Sequence, residues 1–203
     1  MDYYIELLSE KHLKIIGAFS CIECTSDLIT YNSKERRKIK KHSKEMDDFL
    51  IHEALDEQNR GLNTTHLFIS KDTNDLIAYV SLCNDSIKLA MDEKNELGFS
   101  YSSIPAMKIA RLAVSNKYRN QGFGKLLINY SVYLAKSLTE LSGIAFVTLD
   151  CYKHRLSYYE SIGFVKNQSQ IYDLSKDYPI SLRLSLNDYL SKIEEEMKEP
   201  VDA

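Results

Sequence analysis

The sequence predicts one domain of the mixed α/β class. Two buried segments rich in β-branched and apolar residues, Met107–Val114 and Ile144–Leu149, are each followed by a helical pattern. Two further strands, Thr65–Ser70 and Ala78–Cys83, precede them and are joined by turn-forming residues. A chain of 203 residues can bury one substantial core, and no repeat or linker-like stretch divides it. Periodicity alone therefore predicts a single α/β domain over residues 1–203.

The N-terminal part is predicted to hold one strand and two helices. Tyr3–Ser9 alternates in the manner of a strand, and Ser9 is a candidate N-cap for a short helix through Ile15–Phe19. Met46–Asn59 is amphipathic, and Gly61 follows it where a glycine commonly ends a helix. These elements precede the strand pair.

A basic run lies between those two helices. Lys34–Lys44 carries seven Lys or Arg side chains, opposed only by Glu35. One interpretation is a solvated, mobile helix or loop face. The other is a patch for an acidic partner such as RNA or the phosphates of CoA.

The middle of the chain is predicted to run from a strand through a loop to a long helix. Ile87–Met91 reads as a short strand and Asp92–Ser103 as a polar loop. After the central strand Met107–Val114, an apolar stripe runs from Phe123 to Leu141 at three- and four-residue spacing. Gly143 is predicted to stop that helix.

The C-terminal part is predicted to contain two helices and a late hairpin. Lys153–Ile162 is expected to be a helix closed by Gly163, and a strand is expected to begin directly after it. Ile171-Tyr172 is expected to pair with Ile180–Leu184. Ser185 is a candidate cap for the last helix.

Composition excludes several classes of protein. Hydrophobic residues make up 44% and charged residues 27%, which is ordinary for a globular protein, and the net charge of −3 does not favour nucleic-acid binding. There is no long apolar run, and the N-terminus lacks a signal-peptide layout, so a cytoplasmic location is expected. The cysteines lack the second metal-binding pair that a zinc site needs. We expect no metal site and four free thiols: Cys21, Cys24, Cys83 and Cys151.

The strongest chemical signal is the glycine-containing turn Arg119–Lys125, which joins a strand to a helix. Backbone N–H groups at a helix start have no intrahelical acceptor and carry partial positive charge, so they can bind phosphate. The spacing matches neither the Walker loop nor the dinucleotide-binding fingerprint. Taken alone, the turn is also compatible with an ordinary strand-to-helix connection.

A second motif changes this interpretation. Ser157-Tyr158-Tyr159-Glu160-Ser161-Ile162-Gly163-Phe164 follows the next buried strand. With R-x-x-G-x-G before it, the sequence resembles the GNAT superfamily of acyl-CoA-dependent N-acetyltransferases. The resemblance implies a mixed, mostly antiparallel sheet of about six or seven strands with helices on both faces and splayed strands 4 and 5. It implies a CoA-binding core at about residues 65–167 and a C-terminal hairpin and helix at 168–198.

The resemblance also implies site residues. Acetyl-CoA is the expected donor, and its diphosphate is expected to bind the turn formed by Arg119, Asn120, Gln121, Gly122, Phe123, Gly124 and Lys125. Backbone groups of Leu112, Ala113 and Val114 are expected to bind the pantetheine arm. Tyr159 is expected to be the general acid that protonates the leaving thiolate. Arg111, on the same strand, carries a charge that is expected to need a phosphate or carboxylate partner.

The general base is left open by the sequence. An amine of lysine type has a pKa of about 10.4 and must lose a proton before it attacks. Asp150, Glu53 and Glu57 are candidates. A chain of water molecules serves equally well.

The N-terminal half resembles one GNAT subgroup, the acetyltransferase toxins that modify the amine of charged tRNA. The matching residues are Phe19-Ser20-Cys21, Met46-Asp47-Asp48-Phe49-Leu50, Ala78-Tyr79-Val80-Ser81-Leu82 and Lys108–Val114. A longer stretch between Cys21 and Met46 and the acidic net charge depart from that pattern. The expected acceptor is a small-molecule or macromolecular amine, and aminoacyl-tRNA is one alternative. A second alternative is that the protein is a non-catalytic CoA-binding module. A homodimer is also left open.

Overall fold

The computed structural model describes residues 1–168 and 178–198. Within them lie seven strands that form one sheet in the order β1-β2-β3-β4-β5-β7-β6. The strands are β1 Tyr3–Leu7, β2 Thr64–Ser70, β3 Leu76–Ile87, β4 Ile104–Val114, β5 Phe146–Cys151, β6 Val165–Lys166 and β7 Ile180–Ser185. Strand pairs β1–β2, β2–β3, β5–β7 and β6–β7 are antiparallel, whereas β4 and β5 are parallel. The predicted mixed, mostly antiparallel sheet is confirmed, and the splay of β4 and β5 stays a prediction.

In the sequence, the helices of the described residues lie between these strands, except for the last helix, which follows β7. They are α1 Leu13–Ile16, α2 Ser33–Asp48, α3 Ala54–Asn59, α4 Met91–Glu96, α5 Phe123–Leu138, α6 Leu156–Ile162 and α7 Leu186–Lys198. Short 3-10 helices cover Glu10–His12, Ser26–Leu28, Asn116–Tyr118 and Lys153–Arg155, and a π-helical turn covers Phe49–Glu53. None of the described helices is both long and apolar enough to cross a bilayer.

The chain groups into two compact units. The first contains Met1–Cys83 and Ile109–Tyr130. Its core packs Phe19 and Phe49 against the ring of Tyr79, whose hydroxyl donates to the Met46 carbonyl at 2.7 Å. This core fixes the helices α2 and α3 on one face of the strands β1–β3.

The second unit contains Asn84–Lys108 and the described residues from Ser131 onward. Ile87, Ile104 and Phe146 belong to one of its apolar clusters. A buried ion pair joins Arg183 of β7 to Glu93 of α4, and Arg183 also lies over the Phe146 ring at 5.9 Å. That single domain over residues 1–203 remains a prediction.

Several local signals were predicted correctly. Gly61 and Gly163 have φ of 71° and 116°, and the Leu62 N–H donates to the Glu57 carbonyl at 2.9 Å, as expected at a glycine-terminated helix. The Ser185 hydroxyl accepts from the Asp188 N–H at 3.4 Å. β7 pairs with β5 and β6, and Ile171-Tyr172 lies outside the described residues.

Two predictions for residues 87–103 were wrong. β3 continues to Ile87 because its polar end has a partner: the Asp85 carboxylate accepts from Thr148 Oγ1 at 2.6 Å. Ile87–Met91 is therefore not a separate strand. The helix α4 begins at Met91 and occupies the first part of the predicted loop Asp92–Ser103, and the Glu93 carboxylate accepts the Ala90 N–H at 3.1 Å to cap it.

The limits of the central strand and helix also differ from the prediction. β4 starts at Ile104 and includes Pro105, whose carbonyl accepts the Ala145 N–H at 2.9 Å. α5 ends at Leu138, so Gly143 is not its stop and Leu141 is 86% exposed. Thr139 Oγ1 bonds to the Lys136 carbonyl at 2.6 Å, and such side-chain bonds compete with helix continuation.

The basic run and the amphipathic helix form one helical stretch. α2 starts at Ser33, where Asn32 accepts the N–H groups of Lys34 and Glu35, and it contains all of Lys34–Lys44. α2 then continues through the π-helical turn into α3. The run is thus a helix face rather than a loop.

Candidate active site

The turn after β4 has the geometry of a phosphate-binding loop. Gly122 has a φ of 84°, in the left-handed region that favours glycine, and Asn120 has a φ of 59°. A Cβ placed on Gly122 would meet no atom within 4 Å, so the space beside its backbone is open. A ligand oxygen can therefore approach the main chain here.

The backbone N–H groups at the start of α5, directly after Gly122, have no acceptors among the residues that the structure describes. The first helical bond of the turn runs from the Leu126 N–H to the Gly122 carbonyl at 3.1 Å. No residue in the described part of the chain accepts the N–H of Phe123, Gly124 or Lys125. Together with the partial positive charge at the start of a 16-residue helix, these three donors suit an anion.

The residues just before the turn, Ser115–Tyr118, are fixed to the hairpin β2–β3. The Tyr118 hydroxyl donates to Asp75 Oδ2 at 3.1 Å, and the Lys117 ammonium lies 3.4 Å from the same oxygen. These contacts, Tyr118 first and Lys117 second, lower the pKa of Asp75. The Ser115 N–H also donates to the Ile77 carbonyl at 2.8 Å. The conformation of the turn is therefore set before any ligand binds.

Arg119, predicted as a charge partner for phosphate, is already surrounded by protein groups. Its guanidinium lies 3.3 Å from Glu23 Oε1 and 3.8 Å from Asp27 Oδ2, and it donates to the Cys21 carbonyl. Its side chain is 19% exposed. Lys125, by contrast, is exposed and forms no ion pair with the described residues. Phosphate contact by either side chain stays a prediction.

Arg111 is stabilised differently from the prediction. Its guanidinium carbon lies 4.9 Å from the centre of the Phe49 ring, and Nη1 donates to the Ala110 carbonyl at 2.8 Å. A cation over an aromatic face gains electrostatic stabilisation without a carboxylate or phosphate.

The three β4 residues predicted to bind pantetheine alternate in burial. Ala113 is 6% exposed and belongs to the core of the first unit, whereas Leu112 and Val114 are half-buried. Their role in binding the donor stays a prediction.

Tyr159 lies on the short helix α6 between two aromatic rings. Its ring centre is 5.2 Å from that of Tyr158 and 5.7 Å from that of Phe164, both edge to face. Burial is the main cause that raises the pKa of its phenol, with smaller effects from Cys151 and Tyr158. Its hydroxyl makes no hydrogen bond to any residue between 1 and 168 or 178 and 198. A protonated phenol with a free hydroxyl suits a proton donor.

The candidate bases have different environments. Asp150 forms an ion pair with Lys108, whereas the Glu57 carboxylate accepts from the Asn63 amide. Glu53 is exposed within the π-helical turn. Nothing in these contacts selects one of them as the base.

The predicted site residues fall in both units. The turn, Leu112–Val114, Glu53 and Glu57 belong to the first unit, and Asp150 and Tyr159 to the second. Glu23 and Tyr118 were not predicted as residues of the site. The segment that contains Glu23 is far from Arg119 in the sequence, since 98 positions separate Cys21 from Arg119, and no local pattern marks Glu23 as the partner of Arg119. All four cysteines are free thiols, and the described residues contain no cluster of three or more potential metal ligands.

Comparison with known proteins agrees with this geometry. Residues 63–166, just over half of the chain, match the family model described as the acetyltransferase (GNAT) domain. Among solved structures, a tyrosine-to-phenylalanine mutant of KacT is 15% identical, with a TM-score of 0.71 over 95% of this chain and 99% of KacT.

Two other structures have the same fold. AtaT complexed with acetyl-methionyl-tRNAfMet is 15% identical, with a TM-score of 0.71 over 95% of this chain and 99% of its own. AtaTR bound with acetyl-CoA is 16% identical, with a TM-score of 0.68 over 95% and 98%.

Proposed function

Since this chain belongs to the GNAT family of acetyl-CoA-dependent N-acetyltransferases, we propose that it transfers the acetyl group directly from the CoA thioester to a primary amine. In this proposal the diphosphate of the donor binds the turn Arg119–Lys125. The observation that carries it is the row of three N–H groups, on Phe123, Gly124 and Lys125, that have no acceptor among residues 1–168 and 178–198 and that follow the open position at Gly122.

Direct transfer places separate demands on the residues. The amine attacks the thioester carbonyl, the carbon–sulfur bond breaks, and the leaving thiolate takes a proton. Tyr159 is the proposed proton donor, because burial keeps its phenol protonated at neutral pH and its hydroxyl is not engaged by the described residues. A backbone N–H of Leu112–Val114 is the proposed donor to the oxyanion.

Titration calorimetry on the purified protein tests the donor site. We expect acetyl-CoA and free CoA to bind with similar affinity, because both carry the same diphosphate. Pantetheine, which lacks the diphosphate and the nucleotide, should bind far more weakly. Equal binding of pantetheine and CoA would contradict a diphosphate site at the turn.

A panel of amines with labelled acetyl-CoA then tests transfer. Donor binding with no transfer to any amine would favour the alternative of a non-catalytic CoA-binding module. Transfer that requires an aminoacylated acceptor would select the second candidate function below.

That second candidate is acetylation of the amine of aminoacyl-tRNA. One solved structure of the same fold is AtaT complexed with acetyl-methionyl-tRNAfMet. In this chain, Lys34, Arg37, Lys41 and Lys44 are exposed at three- and four-residue spacing along α2, while Ile39 and Ser43 on the opposite side are buried. This basic face on α2 offers phosphate contacts despite the acidic net charge.

Salt dependence separates the two acceptor classes. Binding of tRNA through the basic face should weaken steeply as salt rises, whereas acetylation of a small amine should not. Neutralising Lys34, Arg37 and Lys41 together should then abolish tRNA binding and leave small-amine transfer intact. A homodimer remains a further proposal, which sedimentation at several concentrations tests.

A further inference from the structure

The turn that we propose as the donor site is attached to the N-terminal segment by several contacts, of which the ion pair of Arg119 with Glu23 is the most buried. Arg119 is the first residue of that turn, and Glu23 supplies the carboxylate 3.3 Å away. The Glu23 side chain is 4% exposed, and its second oxygen accepts from the Ser43 hydroxyl of α2. A carboxylate this deeply buried is destabilising unless it is paired and hydrogen-bonded. Arg119 supplies the opposite charge and Ser43 supplies the hydrogen bond.

The guanidinium binds more than one group of the same segment. Besides Glu23, it reaches the Cys21 carbonyl and lies 3.8 Å from Asp27. The planar fork of an arginine is suited to such divided contacts, which a lysine ammonium cannot reproduce. Arg119 therefore holds residues 21–27 against the turn at several points.

The segment is in turn fixed to the end of α2. Asp47 accepts from the Ser20 hydroxyl at 2.9 Å and from the Cys21 N–H at 2.9 Å, and it is 6% exposed. On the other side, the Asn116 N–H donates to the Ser20 carbonyl at 2.9 Å. A continuous set of buried and partly buried polar contacts thus runs from α2 through Ser20–Glu23 to the turn.

From this arrangement we infer that Glu23 is a positioning residue of the donor site. Its carboxylate fixes the Arg119 side chain, and through it the backbone of the turn whose N–H groups bind the diphosphate. Arg119 acts by holding the turn and not by ligating phosphate, because its guanidinium donates to the Cys21 carbonyl and lies between the Glu23 and Asp27 carboxylates. This inference rests on the proposed function for the identity of the ligand.

The arrangement also couples two regions of the chain. Any ligand that alters the conformation of Ser20–Asp27 changes the affinity of the turn for the donor, and the donor changes the affinity for that ligand by the same factor.

The test uses Glu23→Gln, which keeps the size of the side chain and its ability to accept from Ser43 but removes the charge. Glu45→Gln on the exposed side of α2 is the matched control. We expect Glu23→Gln to raise the Kd for acetyl-CoA about tenfold, within the range typical of coupled sites, and to raise the KM for acetyl-CoA more than it lowers kcat. A merely structural role would lower the active fraction and leave KM unchanged.

Three further variants, Arg119→Lys, Arg119→Gln and the double variant Glu23→Gln/Arg119→Gln, distinguish positioning from direct ligation. Arg119→Lys keeps a positive charge, so it should preserve affinity if Arg119 binds phosphate and should lose it about as far as Glu23→Gln if the fork holds the segment. The double variant Glu23→Gln/Arg119→Gln should be no weaker than either single variant. Unchanged affinity in Glu23→Gln together with a loss in Arg119→Gln would overturn the inference.

Hydrogen exchange decides the inference without any ligand. In the unliganded protein, the hydrogen-bonded amides of Ser115, Asn116 and Tyr118 should exchange faster in Glu23→Gln than in Glu45→Gln, while those of β7 should not differ. Identical exchange at these amides would also overturn the inference. Failure of the wild-type protein to bind acetyl-CoA would contradict the proposed donor site alone, because the exchange measurement reports on the contact itself.

Discussion

The Lys108 ammonium lies 2.6 Å from Oδ2 of Asp150, and the two side chains are 30% and 37% exposed. Lys108 belongs to β4 and Asp150 to β5, so this pair joins the two parallel strands. Asp150 is one of the three carboxylates considered as the general base. The pairing leaves the carboxylate partly open to solvent and gives its substitution a measurable consequence.

We expect Asp150→Asn to reduce the free energy of unfolding by less than about 1 kcal/mol, because partly exposed ion pairs are screened by water. Chemical denaturation measures this, with Lys108→Met as the matched removal of the other charge. A large fall in kcat without a matching loss of stability would identify Asp150 as a residue of the reaction. A loss of several kcal/mol would contradict the expectation of weak pairing.

For Tyr159→Phe we expect kcat to fall about 10²–10⁴-fold with little change in the Kd for acetyl-CoA, because only the proton donor is removed. Tyr158→Phe is the matched control, since the neighbouring ring is exposed and has no proposed role. Wild-type turnover in Tyr159→Phe would mean that this side chain only packs against Phe164.

The pH dependence of the wild-type enzyme follows from the raised pKa of Tyr159. Its ordinary value is 10.0, and burial raises it in the folded state, so the phenol stays protonated through the neutral range. We expect no alkaline fall in kcat from this group below about pH 10. A fall in kcat with a midpoint near pH 8 that disappears in Tyr159→Phe would contradict this.

The same shift predicts a change in stability at high pH. Above pH 10 the unfolded chain loses the Tyr159 proton while the folded chain retains it. The unfolded state then binds fewer protons, so the free energy of unfolding falls as the pH rises above 10. The fall should be smaller in Tyr159→Phe, and urea denaturation at a series of pH values measures the difference.

Gly124→Glu should abolish donor binding, because it introduces a side chain and a negative charge beside the N–H groups of the turn. Ser137→Glu, at an exposed position on the same helix, introduces the same single negative charge and controls for the change of net charge. Circular dichroism establishes that both variants fold. Unchanged affinity in Gly124→Glu would place the diphosphate elsewhere.

Gly122→Ala tests the conformation of the turn separately. Gly122 and Gly61 both have positive φ with open space around them, so alanine at either position should cost about 1–2 kcal/mol of stability from backbone strain. Only Gly122→Ala should also weaken acetyl-CoA binding, which calorimetry on both variants measures. Equal donor affinity in the two variants would separate the turn from the donor.

Local chemistry explains what could be predicted from the sequence. Gly61 and Gly163 end helices by a rule that needs only neighbouring residues, and both predictions were correct. The strand-turn-helix order around Gly122 follows the same logic. The predicted end of α5 was wrong because the apolar stripe continues past Leu138, whereas the Thr139 hydroxyl bonds to the Lys136 carbonyl and such a bond competes with helix continuation.

Contacts between distant residues explain what could not be predicted. Nothing in the neighbourhood of Arg119 shows that its charge is matched by Glu23, and the interaction of Arg111 with the Phe49 ring is equally non-local. Both arginines looked like candidate anion ligands because their partners are separated from them along the chain. The helix α4 was predicted as a loop because its cap is made by Glu93, and nothing in the sequence distinguishes this residue from the other polar residues of that segment.

The π-helical turn at Phe49–Glu53 accommodates one extra residue between α2 and α3. The Ala54 N–H donates to the Phe49 carbonyl, five residues back, so the turn contains one residue more than an α-helix of the same rise. Each residue of an α-helix advances the direction of its side chain by about 100°. The wide turn takes five residues through about the rotation that four residues make in an α-helix. Excising one residue here, such as the half-buried Ile51, should therefore restore ordinary winding and leave Ala54–Asn59 facing the same way. Ala54 would stay in the core and Glu57 beside Asn63, so this turn adds a residue to the helix without changing which side of α3 meets the sheet.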